Sequence, residues 1–126
     1  MKFARNVFLI AGIYGLIGLV PPLFLETKMG TDYPPAITHP EYYYGFLGVG
    51  IAWQVAFIII SRDPLRYRPL LPAVTIEKFS FALAATVLFF QQRAPGLIFA
   101  LGMVDLMWGA LFIVAWTKLN GGRADS

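Results

Sequence analysis

The sequence predicts an all-α polytopic membrane protein, a four-transmembrane-helix up-down-up-down bundle forming one domain over residues 1–126. Three observations lead there. Of the 126 residues, 58% are hydrophobic and 13% charged, against roughly 45–50% and about 25% in soluble domains. A chain this short has too little interior to hide that excess from water. Four segments, at about 5–25, 42–61, 70–91 and 95–117, are each long enough to cross about 30 Å of hydrocarbon at about 1.5 Å per residue. The basic residues also gather on alternate connections between those segments.

The first span holds 19 uncharged residues from Val7 to Leu25. Lys2 and Arg5 before it resemble the n-region of a signal peptide, but the apolar run is too long for an h-region and no small-x-small cleavage site follows. The span is therefore expected to be retained. The second opens on Tyr42, Tyr43 and Tyr44, amphipathic rings suited to a headgroup boundary, and ends at Arg62. Pro69 and Pro72 punctuate the entry to the third, and Pro95 opens the fourth, which ends near Trp116 and Lys118. Outside the membrane, residues 26–41 form the one sizeable loop, acidic through Glu26, Asp32 and Glu41. Pro34, Pro35 and Pro40 are expected to hold it extended.

Flanking charge sets an expected orientation. Lys2, Arg5, Arg62, Arg66, Arg68, Lys118 and Arg123 fall on one side, and Lys28 and Arg93 on the other, seven against two. The positive-inside rule then places both termini and the inner loop 62–69 in the cytoplasm of a cell (inner or plasma) membrane. The formal charge of +3 reads as topology, with the lipid bilayer as partner and no nucleic-acid partner expected.

Helices in lipid associate through close contact, so small residues at helical spacing are expected to mark the faces that meet. Those faces are Ala4, Ala11, Gly15 and Gly18 in the first span, Gly45, Gly48, Ala52 and Ala56 in the second, and Gly102 and Gly109 in the fourth. The short connections predict that the second and third spans, like the third and fourth, are antiparallel neighbours.

Chemistry is concentrated in a few intramembrane polar residues, Gln54, Glu77, Lys78 and Asp105. A central charge costs about 2.5–3.5 kcal/mol on insertion scales, so such residues face the bundle and find partners. Asp105 lies 12 residues from Thr117, about 18 Å deep, with Gln54 at about 12 Å and Glu77 at about 10 Å. These overlapping depths predict that they meet, as a ligand-binding or proton site or as a cluster fixing helix register. Lys78 either snorkels or reaches a neighbouring helix. Two carboxylates against one ammonium leave a net −1, so a proton or one of Arg62, Arg66 and Arg68 is expected to make up the balance. A second candidate cluster, His39, Glu41, Tyr43 and Arg93, sits at the outer boundary, where aromatic anchoring is the plainer explanation.

The absence of cysteine excludes disulfides, thiolate nucleophiles and iron–sulfur ligation. His39, the one histidine, has no metal-binding motif around it. No cofactor and no metal are expected, and no catalytic residue is assigned. The inner loop mixes arginines with apolar residues, suiting anionic lipid headgroups.

The blocks Asp32-Tyr33-Pro34-Pro35-Ala36-Ile37-Thr38-His39-Pro40, Ala52-Trp53-Gln54, Arg62-Asp63-Pro64 and Glu77-Lys78 resemble a family of small bacterial four-helix integral membrane proteins. In size and helix count the chain is broadly similar to DoxX-like membrane proteins, without a diagnostic motif, so that resemblance implies a fold and no catalytic group. It also resembles small multidrug transporters in length, but their essential first-helix glutamate has no counterpart between Val7 and Leu25. The favoured expectation is a binding or accessory membrane protein with an intramembrane polar cavity for a lipid or other amphipathic ligand. The alternatives are a proton-coupled transporter, working as a homo-oligomer, and an isomerase-like enzyme using Glu77 and Asp105 as its acid–base pair.

Overall fold

The computed structural model describes residues 2–121. Its helices are α1 (Lys2–Leu19), α2 (Glu26–Asp32), α3 (Pro40–Arg62), α4 (Leu71–Phe90) and α5 (Gly96–Gly121), with 3-10 turns at Pro21–Phe24 and Arg68–Leu70. There is no strand among the described residues. Four helical segments of 23, 23, 23 and 26 residues are long and apolar enough to cross a membrane, each reaching beyond the hydrocarbon thickness of about 30 Å. The chain is a multi-pass membrane protein. Ile17, Leu83 and Phe90 point outward from the bundle, each more than half exposed, a pattern that water would penalise and lipid accepts.

Residues 26–41 are not extended throughout. α2 occupies Glu26–Asp32 ahead of the prolines, with Lys28 and Asp32 paired at 3.0 Å across one turn. Its position is held from α3, where the Tyr44 hydroxyl donates to Glu26 Oε1 at 2.9 Å and the Tyr43 hydroxyl to the Pro22 carbonyl at 2.6 Å. At the α4–α5 turn, the Arg93 N–H bonds the Leu88 carbonyl and the Gln92 N–H the Phe89 carbonyl, with Gln92 at φ 59°. This is a Schellman cap with glutamine in the left-handed position that glycine usually fills.

Close packing joins α1 to α3, α4 to α5 and α1 to α5. The helices therefore run α3–α1–α5–α4 around the bundle, and the ring stays open between α4 and α3. This corrects the expectation that the second and third spans would be close antiparallel neighbours. The eight residues from Asp63 to Leu70, with Pro64 fully buried, carry the chain sideways to α4. One end is sealed nonetheless: Ala4, Val7, Phe8, Phe57, Ile60, Leu71, Val74, Phe112, Ala115 and Leu119 form a core where the start of α1, the end of α5 and this loop lie. Phe8 stacks on Phe112 at 4.4 Å, and Phe57 meets Phe112 edge-on at 5.1 Å. Away from that end, α3 and α4 splay.

Small residues bring the paired helices together, but not always those expected. On α1, Gly12 and Gly15 are buried against α3: a Cβ on Gly12 would lie 2.8 Å from the Gln54 carbonyl, and one on Gly15 would overlap the Gln54 side chain. Gly18, by contrast, has open space around it. On α3, Gly50 meets Leu19, while Gly45 and Gly48 face nothing and Ala52 is exposed. The expected stripe Gly45, Gly48, Ala52 and Ala56 thus lies off the α1 contact. Gly102 and Gly109 do face α4, against Ala85 and the Phe79 ring. Arg123, counted in the charge bias, lies outside the described residues, as do residue 1 and the rest of residues 122–126.

Candidate functional site

α4 turns Lys78 into the bundle, where it is 2% exposed. Its Nζ lies 3.6 Å from Asp105 Oδ1 on α5, 3.8 Å from Glu77 Oε1 on its own helix, and 4.9 Å above the Phe57 ring of α3. Of the two fates open to it, reaching neighbouring helices is the one realised. The ammonium is enclosed by two carboxyls and an aromatic face, each favourable to a desolvated cation. Close approach of α5 through Gly102 and Gly109 brings Asp105 within reach. Three of the four candidate residues meet.

Gln54 stands apart. It is buried on the α1 side of α3, with its amide donating to the Gly50 carbonyl at 3.0 Å and its side chain against Gly15. No hydrogen bond or ion pair joins it to Lys78 among the described residues, so its depth placed it near the trio but its helix face did not. Nor does any arginine complete the charge balance: among the described residues, Arg62, Arg66 and Arg68 form no ion pair with either carboxyl. Arg66 lies over the Tyr67 ring instead, 5.4 Å from its centre.

The gap between α3 and α4 is a cleft of about 860 Å³. Tyr42, Phe46, Val49 and Trp53 line it from α3, and Ala73, Ile76, Ser80 and Phe81 from α4. Phe46 and Phe81 approach across it at 6.3 Å. Two carboxyl-bearing residues belong to its wall, Glu41 at the mouth where α3 begins and Glu77 deep within. Glu77 Oε1 is itself buried and accepts no hydrogen bond. Lys78 and Asp105 are not on this wall. They stand behind Glu77, so Glu77 and Asp105 face a cleft ligand from unequal positions and do not flank it as a pair.

The outer-boundary residues are less of a unit than expected. His39 stacks on Tyr42 at 4.9 Å and approaches Glu41 at 4.0 Å, both partners exposed. Tyr43 is taken up by Pro22. Arg93 donates to Gln91 at 3.1 Å and makes no ion pair with this group among the described residues. No group of three or more side chains suited to a metal occurs among the described residues.

The cleft residues were present in the sequence as an unexploited signal. Tyr42, Phe46, Val49 and Trp53 follow steps of four, three and four, one stripe of a helix. In a lipid-facing helix an apolar stripe is ordinary, so periodicity alone did not single it out. Trp108 lies in the core rather than in the cleft, one turn from Asp105 and 6.1 Å from the Tyr14 ring, its Nε1 buried without a hydrogen-bond partner among the described residues.

Fold and site together define a four-span membrane protein with a side-opening cleft backed by a buried Glu–Lys–Asp cluster. No protein-family model matches the chain, and no curated protein or solved structure matches it.

Proposed function

We propose that the protein binds a lipid or another amphipathic ligand in the α3–α4 cleft, as a binding or accessory protein of the membrane. The observation that carries this reading is a cleft of about 860 Å³ with apolar walls and one carboxyl-bearing residue, Glu77, deep inside. Its volume lies within the roughly 300–1,000 Å³ of ordinary ligand pockets, which combine apolar lining with a few placed polar groups. An acyl or isoprenoid chain would lie along Tyr42, Phe46, Val49 and Trp53, entering from the bilayer without crossing water. The head would meet Glu77, whose carboxyl is held by Lys78, itself anchored on Asp105. Preorganisation of this kind reduces the ordering cost of binding.

Membership of a family of small bacterial four-helix membrane proteins, and residence in a cell membrane, are part of the same proposal. Both termini would be cytoplasmic, supported by the seven-to-two basic bias. Gly45 provides the test of the cleft, since it lines the groove and has no atom within 4 Å of a built Cβ. Gly45→Leu should fill the groove without disturbing the fold. Native mass spectrometry of the purified protein should show a retained amphipath that is lost in Gly45→Leu. Equal retention by both proteins would place the ligand elsewhere and refute the reading.

A further inference from the structure

We infer that the ligand of the cleft is a lipophilic cation, an amphipath whose head is an ammonium group. This rests on the cleft-binding reading and specifies its chemistry. Among the described residues, the carboxyl-bearing side chains lining the cleft are Glu41 and Glu77, and no lysine or arginine lines it. The nearest cation, Lys78, is 2% exposed, lies behind the wall and is already shared between two carboxyls at 3.6 and 3.8 Å. An anionic head entering the groove would therefore meet carboxylates at the mouth and in the depth, with the one ammonium sealed from it. A cationic head meets the opposite field.

The charge balance points the same way. Glu77, Lys78 and Asp105 carry a formal net −1 when ionised, and among the described residues none of Arg62, Arg66 and Arg68 pairs with them. An ammonium at Glu77 would supply the missing charge in a low-dielectric setting where an uncompensated carboxylate is costly. The aromatic lining adds to it: Tyr42, Phe46, Trp53 and Phe81 present ring surfaces along the groove, and such faces attract alkylammonium groups by cation–π interaction. A merely hydrophobic groove would need no carboxyl in its wall, and Glu77 shares its one counter-charge, Lys78, with Asp105, so its insertion cost is only partly offset within the protein.

The experiment compares three ligands that share one dibrominated C18 chain and differ only at the head: amine, alcohol and carboxylic acid. Trp108→Phe/Trp116→Phe leaves Trp53 as the sole tryptophan, and bromine carried along the cleft quenches it. In dodecyl maltoside micelles near neutral pH, the amine should quench at a concentration at least tenfold below the alcohol, with the acid weakest. Glu77→Gln should abolish the advantage of the amine over the alcohol, and Glu41→Gln should weaken the amine less. Equal quenching by all three heads would overturn the cation inference while leaving the cleft reading intact. Quenching by none would overturn both. Preference for the acid would reverse the sign of the site and refute the inference outright.

Discussion

Replacing Lys78 by methionine should cost far more stability than replacing Lys28, although the Lys28 ion pair is the shorter one. Lys28 meets Asp32 at 3.0 Å with the two side chains 66% and 44% exposed, and pairs of that kind contribute about 0.2–1 kcal/mol. Lys78 meets Asp105 at 3.6 Å and Glu77 at 3.8 Å, with its own side chain only 3% exposed. At an effective dielectric of about 20, each of those contacts is an attraction of about 4–5 kcal/mol before desolvation is subtracted. Removing the ammonium leaves two carboxyls without a counter-charge, a loss of about 3–5 kcal/mol by analogy with broken buried pairs. Reversible unfolding in mixed detergent–SDS micelles, followed by circular dichroism, reads both variants. Adding Asp105→Asn to Lys78→Met should recover at least about 1 kcal/mol, because one orphaned carboxyl is gone. If Lys78→Met and Lys28→Met fall within about 0.5 kcal/mol of each other, the buried cluster contributes nothing measurable and the reasoning fails.

Three further outcomes follow from the packing and topology. Gly12→Ala should destabilise by about 1–3 kcal/mol through overpacking, since its Cβ would press on the Gln54 carbonyl at 2.8 Å, more than offsetting a helix-propensity gain of about 1 kcal/mol. Gly18→Ala, with open space around it, should be neutral or favourable, and the same unfolding assay checks the opposite signs. Gln92→Gly should stabilise by about 1 kcal/mol, because it relieves a non-glycine residue at φ 59°; a lower unfolding midpoint would contradict that account. An alkaline phosphatase fusion after Ser126 should be inactive and a green fluorescent protein fusion bright, as the proposed cytoplasmic termini require. The opposite pair of results would reverse the assigned orientation.

The number and approximate extent of the spans were legible because hydrocarbon imposes a simple length rule. A bilayer needs about 20 predominantly apolar residues, and only a helix satisfies their backbone within one segment. The intramembrane polar residues were legible for the same reason, since each stands out against an apolar background. α2 was not, because Glu-Thr-Lys-Met-Gly-Thr-Asp contains a glycine and two threonines, a weak intrinsic helix. Bonds from Tyr43 and Tyr44 to the adjoining chain make the difference.

Which faces meet was decided by tertiary structure alone. Periodicity locates the core of a soluble helix because water separates the buried face from the wet one. In lipid the outward face is as apolar as the inward one, so the pattern carries little direction. The Gly45–Ala56 stripe and the glycines at 12, 15 and 50 look alike along the chain, yet only the latter bring α1 and α3 together, Gly12 and Gly15 against Gln54 and Gly50 against Leu19. Likewise, depth arithmetic placed Gln54 beside Glu77 and Asp105, while the rotation of α3 turned it toward Gly15. The open seam between α3 and α4, and Glu77 within it, follow from which helix pairs pack most closely, a balance of contacts between residues far apart in the chain.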